Sequence, residues 1–229
     1  MISRILLCLA LLMTASPALT DTIAVIGTGD VARALGPEFA AQGHTIVYGS
    51  RSPDSAKARD LVAETGQDAS VTTQVDSVVG ADIVVLAVPG MLVGEITKGL
   101  GDLSGKIIID PTNPLQRDGL RLTHGVETSN TEIIQAIAPG AEVVKAFNTL
   151  NWKTMLEPAS SGGPVSIPLA GDSRSAKKTV AELVSGMGLE PIDVGGVENA
   201  HWVEGMLILW INNRYSTRDS FEYHLRKTE

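Results

Sequence analysis

Six consecutive residues, Gly27-Thr28-Gly29-Asp30-Val31-Ala32, hold the first hint of chemistry. They spell G-x-G-x-x-A between a β-branched apolar run and a stretch with helical spacing. Gly27 permits a tight turn, Gly29 lets backbone come close to a pyrophosphate, and small Ala32 lets a helix pack against the preceding strand. The free N–H groups at such a helix start suit phosphate oxygens. The pattern points to a dinucleotide, with a glycine-rich structural turn as the plain alternative.

The end of the second strand narrows the choice of dinucleotide. A unit that takes NAD places an acid there, about 20 residues after the loop, to bond the ribose 2′-hydroxyl. This chain reads "VYGSRS" instead, with no acid at the strand end. Ser50 offers a hydroxyl and Arg51 a planar cationic fork, a pairing suited to a 2′-phosphate. These residues favour NADP over NAD. For Arg51 the alternative is an ordinary solvated charge, and Lys57 is a second candidate cation.

Later strand ends read "AVPG" at 87–90, "DPTNP" at 110–114 and "KAFNTL" at 145–150. Pro89, Pro111 and Pro114 stiffen backbone able to line a cofactor. Asn113 and Asn148 carry amides that both donate and accept, as a carboxamide or a flavin-like ring edge requires, although structural turns explain Asn and Pro as well. Lys145 is either a buried, paired lysine or a substrate contact. No G-x-S-x-G or H-E-x-x-H occurs, and His44, His124, His201 and His224 show no metal-ligand spacing. No catalytic acid or base stands out, which fits hydride transfer between stacked rings, where orientation counts for more than proton chemistry.

Holding these residues on one edge requires strands alternating with helices. Apolar runs at 22–27, 44–50, 82–88, 106–110, 141–147, 165–171 and 189–194 read as strands, with a weaker one at 69–73. Several are apolar throughout, as strands covered on both faces are. Helical spacing occurs at Val31, Leu35 and Phe39, where Gly36-Pro37 is expected to kink or shorten the helix, and at 56–65, 92–100, 131–138 and 174–187. The segments 111–130 and 151–164 read as long loops. The stretch 197–213 is apolar on all sides, the mark of a buried helix, either core or dimer-forming.

The 229 residues are 44% hydrophobic and 19% charged, ordinary composition for a single core. A net charge of -8 with no basic run, and 4% aromatics, argue against nucleic acid and anionic membranes as partners. Residues 1–20 differ from the rest. Arg4, an apolar run from Ile5 to Met13 and small residues near Ala18 predict a secretory signal, too short to span a bilayer comfortably. Cys8 lies in that run, so cleavage leaves a chain without thiols. The expected organisation is a signal peptide at 1–20, an NADP-binding Rossmann domain at 21–196, and a helix with a polar tail at 197–229. A periplasmic or secreted protein follows, or a cytoplasmic one if the start is misassigned.

In their order and spacing, "IAVIGTGDVARAL", "IVYGSR", "VVLAVP", "IIIDPTNPL", "VVKAFNTL" and "LAGDSRSAKKTVAELVSGMGLEPIDVG" resemble the NADPH-dependent deazaflavin coenzyme reductases. They are also similar to the oxidoreductase domain of the ferric metalloreductases. The resemblance covers about 22–213. It implies an α/β, Rossmann-like, doubly wound fold with a mostly parallel sheet and a C-terminal buried helix, a homodimer, and hydride transfer between NADPH and a deazaflavin or flavin. By position it implies phosphate-loop contacts from Thr28, Gly29, Asp30 and Val31 beside the turn glycine Gly27, and 2′-phosphate contacts from Ser50 and Arg51. Ala87, Val88 and Pro89 would form the wall from adenosine to nicotinamide, with Asn113 and Ala146 nearer the reacting ring. The segment "NAHWVEGMLILWINN" matches the deazaflavin enzymes less closely. Two alternatives stand beside this reading: an exported nucleotide-binding or sensing protein without turnover, and an imine or ketone reductase resembling the pyrroline-carboxylate reductases.

Overall fold

The fold is described for residues 20–116, 122–214 and 223–228 of a computed structural model. The expected signal segment, apart from Thr20, lies outside the described residues, as do Cys8 and most of the polar tail. Six parallel strands form the main sheet: β1 (Thr22–Ile26), β2 (Thr45–Ser50), β3 (Ser70–Thr73), β4 (Ile83–Val85), β5 (Ile107–Asp110) and β6 (Glu142–Lys145). Their order is β3-β2-β1-β4-β5-β6, the doubly wound Rossmann arrangement. The strands β7 (Ser166–Leu169) and β8 (Glu190–Asp193) pair with each other in parallel, and Ala170 beyond β7 bridges antiparallel to Lys145.

The helices are α1 (Asp30–Ala41), α2 (Ala56–Thr65), α3 (Gln74–Ser77), α4 (Val93–Gly99), α5 (Asn130–Ile137), α6 (Trp152–Leu156), α7 (Arg174–Gly186) and α8 (Ala200–Arg214). Alternate residues of β1 enter two separate cores. Ile23 and Val25 pack with Leu35 and Phe39 of α1 and Val180 of α7, while Ala24 and Ile26 pack with Val93 of α4 and Ile134 of α5. A strand that must be apolar toward both faces cannot alternate with polar residues, which is why these runs read as continuously hydrophobic.

Three expectations about local structure change. Helix α1 runs through Gly36-Pro37 to Ala41 without being shortened, although Pro37 has no N–H for the carbonyl of Arg33. The glycine there is explained by packing: a methyl on Gly36 would lie 1.9 Å from the Tyr48 hydroxyl. The loop 151–164 contains α6, capped by the Asn151 side chain on Lys153 N–H, and a 3₁₀ turn at Pro158–Ser161. Helix α8 is buried on one side only: Ala200, Val203, Glu204 and Leu207 are inside, whereas Trp202 is 62% and Leu209 65% exposed. At the chain end, Ser166 N–H donates to the carbonyl of Leu225, which docks that segment beside β7.

Candidate cofactor-binding site

The strand order reverses direction between β1 and β4, and a crevice opens there beyond the carboxyl ends of the strands. It has a volume of about 750 Å³ and is lined by the ends of β1, β2 and β4 together with α4. A second cleft of about 280 Å³, between the carboxyl ends of α4 and α5, lies at the opposite edge of the sheet.

Gly27 forms the floor of the larger cleft. Its N–H donates to Gly49 carbonyl at 2.9 Å and its φ is +118°, a conformation costly for any residue with a Cβ. Gly29 is the N-cap of α1 and has no side chain to cap it, so the first-turn N–H groups stay open to an anion. A Cβ added to Gly29 would meet nothing within 4 Å, which leaves the backbone uncovered on that side. Thr28 completes the turn and also lines the cleft.

The end of β2 contributes the cationic side. Ser50 is nearly buried, and its Oγ accepts from Ser52 N–H at 3.0 Å, fixing the turn from which Arg51 projects. Ser55 caps α2 by accepting from Ala58 N–H, and Lys57 lies in the first turn of that helix. Ser50, Arg51, Ser52, Ser55 and Lys57 all line one wall. Among the described residues neither Arg51 nor Lys57 is ion-paired, so both cations are available to an anion. The opposite wall is Ala87, Val88 and Pro89, followed by Leu92, Ile96 and Leu100, with Glu95 as an acid on the α4 side.

The structure therefore brings Gly27, Thr28, Gly29, Ser50, Arg51, Ala87, Val88 and Pro89 to one cleft. Asp30 and Val31 sit in the first turn of α1 but do not line it; Asp30 is exposed and Val31 packs against the core. Ala146 is fully buried in the core beside β6, so its side chain presents nothing to the cleft. Asn113 lies next to the cleft rather than in it, in a reciprocal pair with Asn148: Asn113 Nδ2 donates to Asn148 carbonyl at 3.1 Å, and Asn148 Nδ2 to Asn113 Oδ1 at 3.0 Å.

Lys145 is a buried, paired lysine. Its Nζ lies 2.7 Å from Asp110 Oδ2 and 2.7 Å from Glu204 Oε1, and it donates to the carbonyl of Thr112 at 2.7 Å. Neither acid stood out in the sequence. Asp110 had a local signal, a charged residue closing the apolar strand "KIIID", but Glu204 is 59 positions beyond Lys145 and nothing local joins them. Gln74, Val75 and Glu95 of the cleft were missed for the same reason. Among the described residues no helix is long and apolar enough to cross a membrane, and no group of His, Cys, Asp and Glu is placed to hold a metal ion.

Comparison with known proteins agrees with this geometry. Residues 22–114, which include the glycine turn, the β2 end and the Pro89 wall, match the family model described as NADP oxidoreductase, coenzyme F420-dependent. The F420-dependent NADP reductase of Methanothermobacter thermautotrophicus is 34% identical over 204 residues, covering 83% of this chain and 88% of that protein. Metalloreductase STEAP3 of Rattus norvegicus is 32% identical over 185 residues, 80% of this chain; this chain spans 36% of that longer protein. A crystal structure from Arthrobacter sp. FB24, assigned provisionally as an F420-dependent NADP-reductase, superposes with a TM-score of 0.78 at 32% identity, covering 84% of this chain and 92% of its own. With its Rossmann sheet, NADP as its cofactor and relatives alike over most of its length, the chain belongs to the F420-dependent NADP oxidoreductase family.

Proposed function

We propose that this protein transfers hydride between NADPH and a deazaflavin, with a flavin as the related alternative acceptor. The observation that carries the reading is the union, in one cleft, of the uncapped α1 start at Gly29 with the serines and free cations around Arg51. The first suits a pyrophosphate and the second a 2′-phosphate, a combination that selects NADP. The residues fit the group: Gly27 makes the tight turn, Gly29 leaves open space over the start of α1, and Ser50, Arg51 and Lys57 supply donors and positive charge.

When bound, NADP supplies the nicotinamide carbon that gives or takes the hydride. In this reading the apolar wall of Ala87, Val88 and Pro89 orients the ring and excludes water, and the Asn113–Asn148 pair stands at the acceptor side. A deazaflavin is the acceptor named for the M. thermautotrophicus relative, which this chain matches along most of both lengths. Steady-state oxidation of NADPH with coenzyme F420, with FMN or FAD, and with ferric citrate tests the proposal. A rate well above background with F420 or a flavin supports it, and NADPH binding without acceleration by any acceptor sinks it.

The exposed Trp202 and Leu209 lie seven positions apart, on one face of α8, and support assembly of two copies through this helix. Residues 1–20 are proposed to direct export, since removal there leaves β1, which starts at Thr22, intact. Light scattering checks the first point, and N-terminal sequencing of protein from its native host checks the second.

A further inference from the structure

A fully buried polar cluster lies beside the Asn113–Asn148 pair, outside the residues that line the cleft. Lys145 is 0%, Asp110 0% and Glu204 2% exposed. Asp110 is fully engaged: Oδ1 accepts from Thr112 N–H and Oγ–H, and Oδ2 from Thr131 Oγ–H and Lys145 Nζ. Glu204 is half engaged. Its Oε1 accepts from Asn130 N–H at 2.9 Å and meets Lys145, while Oε2 is buried with no partner.

Two carboxylates thus share one ammonium in a site closed to water. The charged groups that face Glu204 are Lys145 from β6 and Asp110 beyond it from β5; α5 presents only the backbone N–H of Asn130. His124 reaches the Asn130 side chain and goes no further. An uncompensated buried anion is costly, and a proton on Oε2 removes that charge while Oε1 keeps its contacts with Asn130 N–H and Lys145. A second unmet buried acceptor, Asn148 Oδ1, belongs to the side chain that donates to Val203 carbonyl at 3.2 Å, one residue before Glu204. Burial also drives the Glu204 carboxyl upward, with Lys145 pulling it down and Asp110 pushing it up.

The cluster fixes one particular part of the fold. Val203 and Glu204 are consecutive in α8: Glu204 is held by Lys145 at the end of β6 and by Asn130 at the start of α5, and Val203 by Asn148, which also bonds Asn113. The Asn113 carbonyl packs against Gly90, the residue after the cleft-lining Pro89. We propose that Glu204 is a positioning residue for the acceptor side, acting as a neutral carboxylic acid that locks α8 to the Asn113–Asn148 pair. The proposal rests on the reading that a deazaflavin or flavin is the acceptor.

Glu204→Gln, Glu204→Leu and Glu204→Asp separate the possibilities, each assayed for NADPH dissociation constant, kinetics with F420 or FMN, and the infrared carbonyl band of a protonated carboxyl group. Gln keeps the carbonyl acceptor and a donor without charge, so E204Q should retain the acceptor KM within about threefold, while E204L raises it by about tenfold or more because a loosened helix misplaces the ring. NADPH affinity should move less than about twofold in both, since the cleft residues are untouched. If E204L does not fold, E204D takes its place: one methylene shorter, it keeps the acid, loses the reach and should behave as E204L. The infrared band should be present in the native protein and absent from E204Q. Loss in E204Q equal to that in E204L, a parallel loss of NADPH affinity, or no band in the native protein overturns the proposal. If the native protein reduces no flavin-type acceptor, the reading of the acceptor has failed and the positioning role falls with it, whereas the neutral acid stands or falls on the band alone.

Discussion

A methyl group placed on Gly27 would lie 2.3 Å from the carbonyl oxygen of Ala87. The two residues end adjacent parallel strands, β1 and β4, and the turn at one rests directly on the backbone of the other. Both residues line the cleft at the point where the strand order reverses.

Replacing Gly27 with Ala should therefore damage the cleft in two ways. The +118° φ would impose about 1–3 kcal/mol of strain, and the contact with Ala87 would force one strand end to move. Calorimetric titration is expected to show NADPH affinity reduced at least about tenfold, with a lower Tm. A variant that binds NADPH as the native protein does would show that the turn is not the phosphate cradle.

In the proposed function Arg51 is the cation that discriminates NADPH from NADH. Arg51→Ala should weaken NADPH roughly ten- to a hundredfold, the worth of charge-assisted bonds to a phosphate, and leave NADH nearly unchanged. Arg51→Asp should widen the gap further by repelling the 2′-phosphate. Fluorescence titration with both cofactors measures this, and equal losses for the two would remove Arg51 from that role.

Lys145 neutralises the buried Asp110 carboxylate, so its loss leaves uncompensated charge. Lys145→Met is expected to destabilise the fold by about 3–5 kcal/mol, measured by urea unfolding. Because Glu204 is already neutral in the proposed reading, adding Glu204→Gln should leave that loss nearly unchanged, and a marked rescue would show that Glu204 carries charge in the native protein.

Stability should also carry a pH signature of Glu204. Burial raises its folded value above the ordinary 4.5, so between those values the folded state binds more protons than the unfolded state. Its contribution is complete below 4.5 and is lost as pH rises through the raised folded value. Unfolding free energies measured across that window should fall less steeply with pH in E204Q than in the native protein, and identical profiles would show that Glu204 does not titrate there.

Much of this could be read in the chain itself. The G-x-G-x-x-A turn and the Ser50-Arg51 pair are local signatures, since each is recognised from residues a few positions apart, and both line one cleft. The strands were legible because burial on both faces makes them apolar throughout, as with β1 and β4. Gly36-Pro37 did not shorten α1, and the glycine there answers to the distant Tyr48 hydroxyl, which helix propensity does not register. The face that α8 buries was not legible either, since residues apolar on every side carry no periodicity to choose one.

The sequence alone thus determined the alternation of the main strands and helices, the glycine turn after β1 and the choice of NADP, all set by short-range chemistry. Tertiary structure decided which distant residues share a space. It placed Glu204 against Lys145, joined Asn148 to Asn113, brought the β2 cations and the Pro89 wall to the two sides of one crevice, and left Ala146 in the core. Those outcomes depend on how strands 20 to 60 residues apart pair and on which side of α8 meets them, and no local pattern encodes either.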